Sequence, residues 1–273
     1  MAAAAGVRTR CGSVPAMWDA DVYQRYADER ARPFHDLVAR VRAEQPRQVV
    51  DLGCGPGDQT ATLLDRWPQA TVTGLDSSAE MVAAAQAAAV PGRLSFTQGD
   101  LRAWAPAAPV DVLVCNATLQ WVPDHLGLLP RLVDALSGQG WLALQVPGNF
   151  RAPSHALLAE LRQSPRWREQ VGQGADRALA VHEPEVYLEA LAQAGLVVDA
   201  WETTYLHVLP GPDAVLEWTR GTALRPVLSA LAEDEQAEFL DAYGTLLREA
   251  YPERAHGTVL PFRRIFAVAS RAA

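Results

Sequence analysis

Apolar residues recur along this chain with two periods, and the switch between them lays out its architecture. Positions 18–45 carry Tyr23, Tyr26, Phe34, Leu37, Val38 and Val41 at helical spacing. Pro33 is placed to open the longer helix there and Pro46 to stop it. Short apolar or β-branched runs then alternate with helical stretches: strands at 48–52, 71–75, 94–98, 110–115 and 141–146, helices at 60–67, 79–89 and 126–136. The run at 110–115 is continuously apolar, the pattern of a strand covered on both faces. Strands alternating with helices in this way pair in parallel through right-handed crossovers.

The pattern breaks over 147–181 and returns as a helix at 184–194, with Gly195 at its C-terminal end. A long strand follows at 196–209, then helices at 212–222 and 233–251, then a last strand at 259–269. The two late strands lack a standard crossover helix, which predicts an antiparallel hairpin at the sheet edge. The expected fold is a doubly wound α/β domain with a mostly parallel, seven-stranded, Rossmann-like sheet. It occupies 18–273, with helical lid segments around 18–45, 148–182 and 210–252. Residues 1–17 are Ala-rich and read as a disordered tail, with Met17 as an alternative start.

Composition narrows the classes. Of 273 residues, 49% are hydrophobic and 21% charged, enough to bury a real core. The formal net charge of −8 argues against a nucleic-acid or lipid surface, because phosphate binding needs a basic face. Cys11, Cys54 and Cys115 form no CxxC pair and lack metal-ligand spacing. So sparse a set fits a reducing, cytoplasmic compartment. No apolar run reaches the roughly 18 residues of a membrane span. The expected partner is a small molecule, with no nucleic acid, membrane or metal; the oligomeric state is open and a monomer is compatible.

The candidate chemistry begins at Asp51-Leu52-Gly53-Cys54-Gly55-Pro56-Gly57, between the first strand and a helix. Glycines there allow a tight turn and a close ligand, and ligands of open α/β sheets lie at the carboxyl ends of the strands. A dinucleotide needs Gly or Ala three residues after Gly55, close to its pyrophosphate; that position is Asp58, whose charge would repel it. A cationic sulfonium cofactor tolerates Asp51 and Asp58. Asp76 ends the second strand, where an acid accepts hydrogen bonds from ribose hydroxyls; Ser77 or Ser78 caps the helix that follows. Asp100 and Leu101 follow the third strand, where an acid and an apolar residue hold an adenine, and Asn116 follows the fourth.

With those residues in place the chain resembles the class I methyltransferases. Over about 18–270 it resembles the trans-aconitate 2-methyltransferase family, through Gly74-Leu75-Asp76-Ser77-Ser78, Leu119-Gln120-Trp121, Leu224-Arg225-Pro226 and Phe262-Arg263-Arg264-Ile265-Phe266 among other segments. The resemblance implies S-adenosyl-L-methionine as cofactor and S-adenosyl-L-homocysteine as product. It also implies a monomethyl ester formed on one carboxylate of trans-aconitate or a related small acid. It adds Tyr23, Arg32, Ser77 and Met81 to the cofactor residues Asp51, Gly53, Gly55, Gly57, Asp76, Asp100, Leu101 and Asn116. The Arg- and Gln-rich stretch 151–180 departs from the family pattern, in a region where lid residues select substrate.

Methyl transfer to a carboxylate needs no general base, because the acid is ionised at neutral pH. It needs alignment and removal of water. Arginine suits the clamp, its planar fork pairing with a carboxylate bidentately. Arg225 and Arg263 are the expected clamp, with His182 next and Trp121 walling the reaction centre. Arg32 holds the cofactor carboxylate, joins the clamp, or pairs with Asp28 on its own helix. The alternatives are an edge arginine at 263, a helix cap at His182 and a core tryptophan at 121. A second functional reading keeps the cofactor and changes the acceptor to another small molecule methylated on oxygen, nitrogen or carbon.

Overall fold

The computed structural model describes residues 27–172 and 181–271. Strands β1 (Gln48–Leu52), β2 (Thr71–Asp76), β3 (Leu94–Gln98), β4 (Val110–Asn116) and β5 (Leu136–Pro147) pair in parallel. Strands β6 (Leu196–Leu209), β7 (Glu253–Arg254) and β8 (Gly257–Arg271) complete the sheet in the order β3-β2-β1-β4-β5-β8-β6, with β7 paired to β8 alone. The seven expected strands are present. The two-residue β7 is an eighth, too short to show as a period in the sequence. The predicted edge hairpin is β8 with β6, antiparallel over fourteen residue pairs from Leu196–Arg271 to Leu209–Thr258.

One face of the sheet is covered by helices α1 (Ala27–Ala39), α2 (Asp58–Arg66) and α3 (Ala79–Ala85). Phe34, Leu37, Leu63 and Ala85 there meet Val49, Val72, Val112 and Phe266 of the strands. Pro33 sits inside α1 rather than at its start. A proline in a helix interior costs roughly 3 kcal/mol. Burial of Phe34, Leu37 and Val38, at about 1.5–3 kcal/mol each, outweighs that cost and carries the helix through.

On the opposite face α4 (Leu129–Asp134) contributes Leu132 and Val133, packed with Leu113, Leu144 and Ile265. Helix α4 is preceded by a 3-10 turn, His125–Leu128, so the predicted single helix over 126–136 is two short pieces. Helices α5 (Pro153–Gln163) and α6 (Arg168–Val171) come next in the chain, and then α7 (Pro184–Gln193), whose Tyr187 and Leu191 join the same face.

The hairpin is longer than the parallel strands beside it. Pro147, the last residue of β5, pairs with Arg264, so 257–263 of β8 and their β6 partners overshoot the carboxyl edge of the sheet. A third cluster sits on that overshoot. There α8 (Ala214–Arg220), α9 (Arg225–Leu228) and α10 (Glu233–Ala250) bring Trp218, Val227, Phe239 and Tyr243 against Leu260 and Phe262. The Tyr243 hydroxyl donates to the Ser154 carbonyl at 2.6 Å, tying α10 to α5. No helix among the described residues is long and apolar enough to cross a membrane.

Candidate active site

The carboxyl ends of β1, β2, β4, β5 and β6 and the amino end of the antiparallel β8 lie along one edge of the sheet, and the first wall of the crevice there is the glycine turn. Gly53, Gly55 and Gly57 take φ of 82°, 55° and 87°, the left-handed region that other residues enter at a cost. A Cβ on Gly53 would collide with the Thr118 side chain, and one on Gly57 would come within 2.8 Å of the Phe96 ring. A Cβ on Gly55 would meet nothing within 4 Å. Gly53 and Gly57 are thus small for the protein's own packing, whereas Gly55 leaves open space above the turn.

Two carboxylates fix this turn. The Gly55 N–H donates to Asp76 Oδ2 at 2.9 Å, and the Ser78 N–H donates to Asp76 Oδ1 at 2.9 Å. Ser78 caps α3, its Oγ accepting from the Met81 N–H at 3.3 Å. Ser77 is exposed beside it and Met81 half-buried in the first turn. Asp51 is 3% exposed and accepts from Thr60 Oγ1 at 2.7 Å. Burial pushes its carboxyl up to about 7, against the Thr60 hydrogen bond, with the nearby Asp76 charge adding to the rise. Asn116, at the end of β4, donates from Nδ2 to Gln59 Oε1 at 3.2 Å, while its buried Oδ1 meets no partner.

Asp100 and Leu101 follow β3 as expected, with Leu101 buried in the core. The Asp100 carboxylate is not open, however: Arg102 forks onto it through Nε and Nη2 at 2.6–3.1 Å, and this arginine holds its pKa low. The two residues lie only two apart, so the pairing is local and any ligand there shares the acid with Arg102. Tyr23 lies outside the described residues. Arg32 is exposed on α1, and its charge is felt at Tyr205 and His207.

The expected acceptor residues do not form one clamp. Arg263 and His182 share a cleft of about 320 Å³ with Glu183, Asn149, Phe150 and Thr204. The Arg263 guanidinium is already held between Glu183 and Glu202, which raises its pKa further. It therefore stands as the centre of an ion triad rather than as an open fork. His182 precedes α7; its N–H reaches the Tyr187 hydroxyl at 3.4 Å, and that hydroxyl meets His125 Nε2 at 2.8 Å. Burial pushes Tyr187 up to about 12 and His125 down. Arg225 begins α9 in the helical layer, half-buried. Trp121 ends a 3-10 turn, Leu119–Trp121, with 51% of its surface exposed, so it is neither core nor a closed wall.

The structure adds three residues that sequence reasoning passed over. On the α1 face of the sheet, Gln145 lies beside Asn116 in register, and Arg264 stands two residues before Phe266, the partner of Gln145. His207 is on the same face of β6, stacked on Trp218 at 5.1 Å. Gln145 is fully buried and His207 is 2% exposed. Neither amide atom of Gln145 and neither ring nitrogen of His207 has a hydrogen-bond partner. Leaving such a group unsatisfied costs roughly 1–3 kcal/mol, which a fold accepts where a ligand supplies the bond. The trace in the sequence is a glutamine inside an otherwise apolar run at 141–146.

Comparison with known proteins agrees with this geometry. Residues 49–140 match the methyltransferase domain family. The chain is 52% identical over 267 residues to the trans-aconitate 2-methyltransferase of Streptomyces avermitilis, spanning 96% of this chain and 99% of that one. It is 48% identical over 255 residues to the enzyme of that name from Mycobacterium tuberculosis, spanning 93% and 96%. Among solved structures it is similar to the YcgJ protein of Bacillus subtilis, with a TM-score of 0.57 and 13% identity over 89% of this chain and 99% of that one. At that identity the likeness is one of fold.

Proposed function

The chain belongs to the trans-aconitate 2-methyltransferase family, and from that premise we propose how its own residues serve the activity. The protein is an S-adenosylmethionine-dependent methyltransferase that esterifies one carboxylate of trans-aconitate. The crevice fits its cofactor. Two carboxylates, Asp51 and Asp76, flank a turn whose residues 51–58 include no Lys or Arg, space is open over Gly55, and Asn116 presents a buried acceptor without a partner. An acidic crevice of this kind suits a sulfonium and an ammonium and repels a pyrophosphate. Bound there, S-adenosylmethionine supplies a methyl group made electrophilic by its sulfonium.

In this reading Asp76 accepts from the ribose hydroxyls through the lone pairs left beside its two backbone bonds. Asn116 orients the methionine end, and Leu101 with Asp100 borders the adenine. Ser77, Met81, Tyr23 and Arg32 line the rest of the cofactor path. The acceptor carboxylate is ionised at neutral pH, so no side chain removes a proton. The protein's work is to align the oxygen with the methyl carbon and to strip its water. The helical layer around α8–α10 serves as the lid, with Arg225 facing the acceptor and Arg263 holding the lid side of the cleft through its triad. Buried free thiols at Cys54 and Cys115 support a reducing, cytoplasmic setting.

The acid-flanked, cation-free glycine turn carries the cofactor reading. The decisive experiment offers trans-aconitate, cis-aconitate, isocitrate and citrate to the purified protein with methyl-labelled S-adenosylmethionine. Rapid labelling of trans-aconitate as a methyl ester is the expected result. Tight cofactor binding with no labelled product from any of the four acids would overturn the acceptor assignment and leave the cofactor assignment standing.

A further inference from the structure

We infer that Tyr187 and His125 are positioning residues for the acceptor: a buried chain of hydrogen bonds through them locks the strap 181–183, one wall of the acceptor cleft, to the turn Leu119–Trp121 beside the reaction centre. This role rests on the methyltransferase reading above, with the acceptor in the cleft that opens beyond β5. Gly148 and Asn149, which follow β5, line that cleft together with Val181, His182 and Glu183 of the strap. The turn follows β4 and Asn116. The strap has no regular structure of its own, and Tyr187 stands 62 positions from His125 in the chain, so the two walls keep their relative place only through side chains.

The direction of each bond follows from the donors present. The backbone N–H of His182 donates to the Tyr187 hydroxyl oxygen at 3.4 Å. The hydroxyl hydrogen is then available to His125 Nε2, 2.8 Å away. His125 donates in turn to the Val122 carbonyl, and with Nε2 engaged as an acceptor the donor is Nδ1–H. Val122 closes the turn that carries Trp121. His125 is 1% exposed and Tyr187 is fully buried, so water competes with none of the side-chain bonds. The His125 and Tyr187 rings lie nearly parallel, 11° apart with centroids at 5.7 Å, and the His182 ring stands edge-on to both, at 5.5 and 6.0 Å.

The chain holds only while His125 is neutral. A proton on Nε2 turns that atom into a donor; the Tyr187 oxygen then faces two donors, and its own hydrogen loses its acceptor. A buried hydroxyl in that state is costly, and the contact with the strap is what can give way. The groups that face His125 are His182 from the strap, Tyr187 from α7 and Asp124 from its own turn. Glu183, the next charge along the strap, is taken up by Arg263. Burial and then the His182 charge push His125 down, against the Val122 bond and Asp124. The lock is therefore closed at neutral pH and opens in acid.

The test uses Tyr187→Phe, which keeps the ring and removes the hydroxyl, and His125→Gln, whose amide offers an acceptor in place of Nε2 and does not titrate. Tyr187→Phe is expected to raise KM for trans-aconitate at least tenfold, with kcat within threefold and cofactor Kd within twofold. Hydrogen exchange on the same variant should show protection falling together at 181–183 and 119–122. Wild-type kcat/KM should fall in acid with a midpoint below 6.5, and His182→Gln should move that midpoint up by removing a like charge. His125→Gln should keep kcat/KM within fivefold at neutral pH and lose the acid limb. A limb with the wild-type midpoint in His125→Gln belongs to the carboxyls of the substrate and would overturn the inference, as would a folded Tyr187→Phe that keeps KM within threefold. Those failures, with trans-aconitate still labelled by the wild type, fall on the inference alone. A wild type that labels no carboxylic acid would overturn the acceptor reading and this role with it.

Discussion

The backbone N–H of Gly55 donates to the carboxylate of Asp76 at 2.9 Å, across twenty-one positions of sequence. That bond ties the end of β2 to the glycine turn after β1, so the acid expected to receive the ribose also sets the shape of the turn. Asp76→Ala should therefore weaken the cofactor twice over. A hydrogen bond to a charged group is worth about 1.5–3 kcal/mol, so Kd for S-adenosylmethionine is expected to rise at least thirtyfold by calorimetry. A rise under threefold would remove Asp76 from the cofactor site.

The glycines of the turn divide into two kinds. Gly53→Ala drives a Cβ into Thr118 at a φ of 82° and should lower stability by roughly 2–3 kcal/mol, from left-handed strain plus overpacking. Gly55→Ala meets nothing and should cost only about 1 kcal/mol of strain, while its methyl fills the open crevice and abolishes cofactor binding. Urea unfolding and calorimetry on the two variants separate the effects; equal stability losses would show that the space over Gly55 is not reserved for a ligand.

Two buried groups titrate in opposition. Asp51, raised to about 7, holds a proton in the fold that the unfolded chain releases above about 3.8, so its contribution to stability is lost as pH rises through 7. His207, lowered to about 4 by burial and then by Arg264 and Arg32, stays neutral in the fold while the unfolded chain takes up a proton below about 6.5. Its contribution is lost as pH falls from 6.5 towards 4. Between pH 4 and 6.5 the two slopes cancel. Asp51→Asn should thus make the protein lose stability on acidification over that window, by up to about 3 kcal/mol, and His207→Phe should make it lose stability as pH rises. Urea midpoints at pH 5 and pH 7 check both signs; a variant with the slope of the wild type would refute the corresponding shift.

Arg263 gives a fourth prediction. Its guanidinium neutralises Glu183 and Glu202, so Arg263→Gln leaves two carboxylates facing each other. Stability should fall by about 1–2 kcal/mol at low salt, and part of the loss should return at high salt through screening. KM for trans-aconitate should change less than threefold. A thirtyfold rise in KM would restore Arg263 to the acceptor clamp.

The strands were legible from the sequence because each is a local pattern: an apolar run of five or six residues between turns, and for β6 an unbroken stretch at 196–209 that the structure matches at both ends. The cofactor turn was legible for the same reason, since Asp51, Gly53, Gly55 and Gly57 are contiguous and Asp76 lies at a fixed distance. Pro33 misled because a helix can carry a proline when its buried face holds it. Arg263 was read as an open fork because its partners Glu202 and Glu183 lie 61 and 80 positions away in the chain, a pairing that only the folded sheet brings together. The unpartnered amide of Gln145 and ring of His207 are properties of packing that no spacing records.

The overshooting hairpin separates two parts of the molecule that can vary independently. Residues 257–263 of β8 lie beyond Pro147, the last residue of β5, and pack under α8–α10, while the glycine turn is held by β1 and β2 on the other side of the sheet. Substitutions beneath the helical layer can therefore reshape that layer without disturbing the bond that sets the turn.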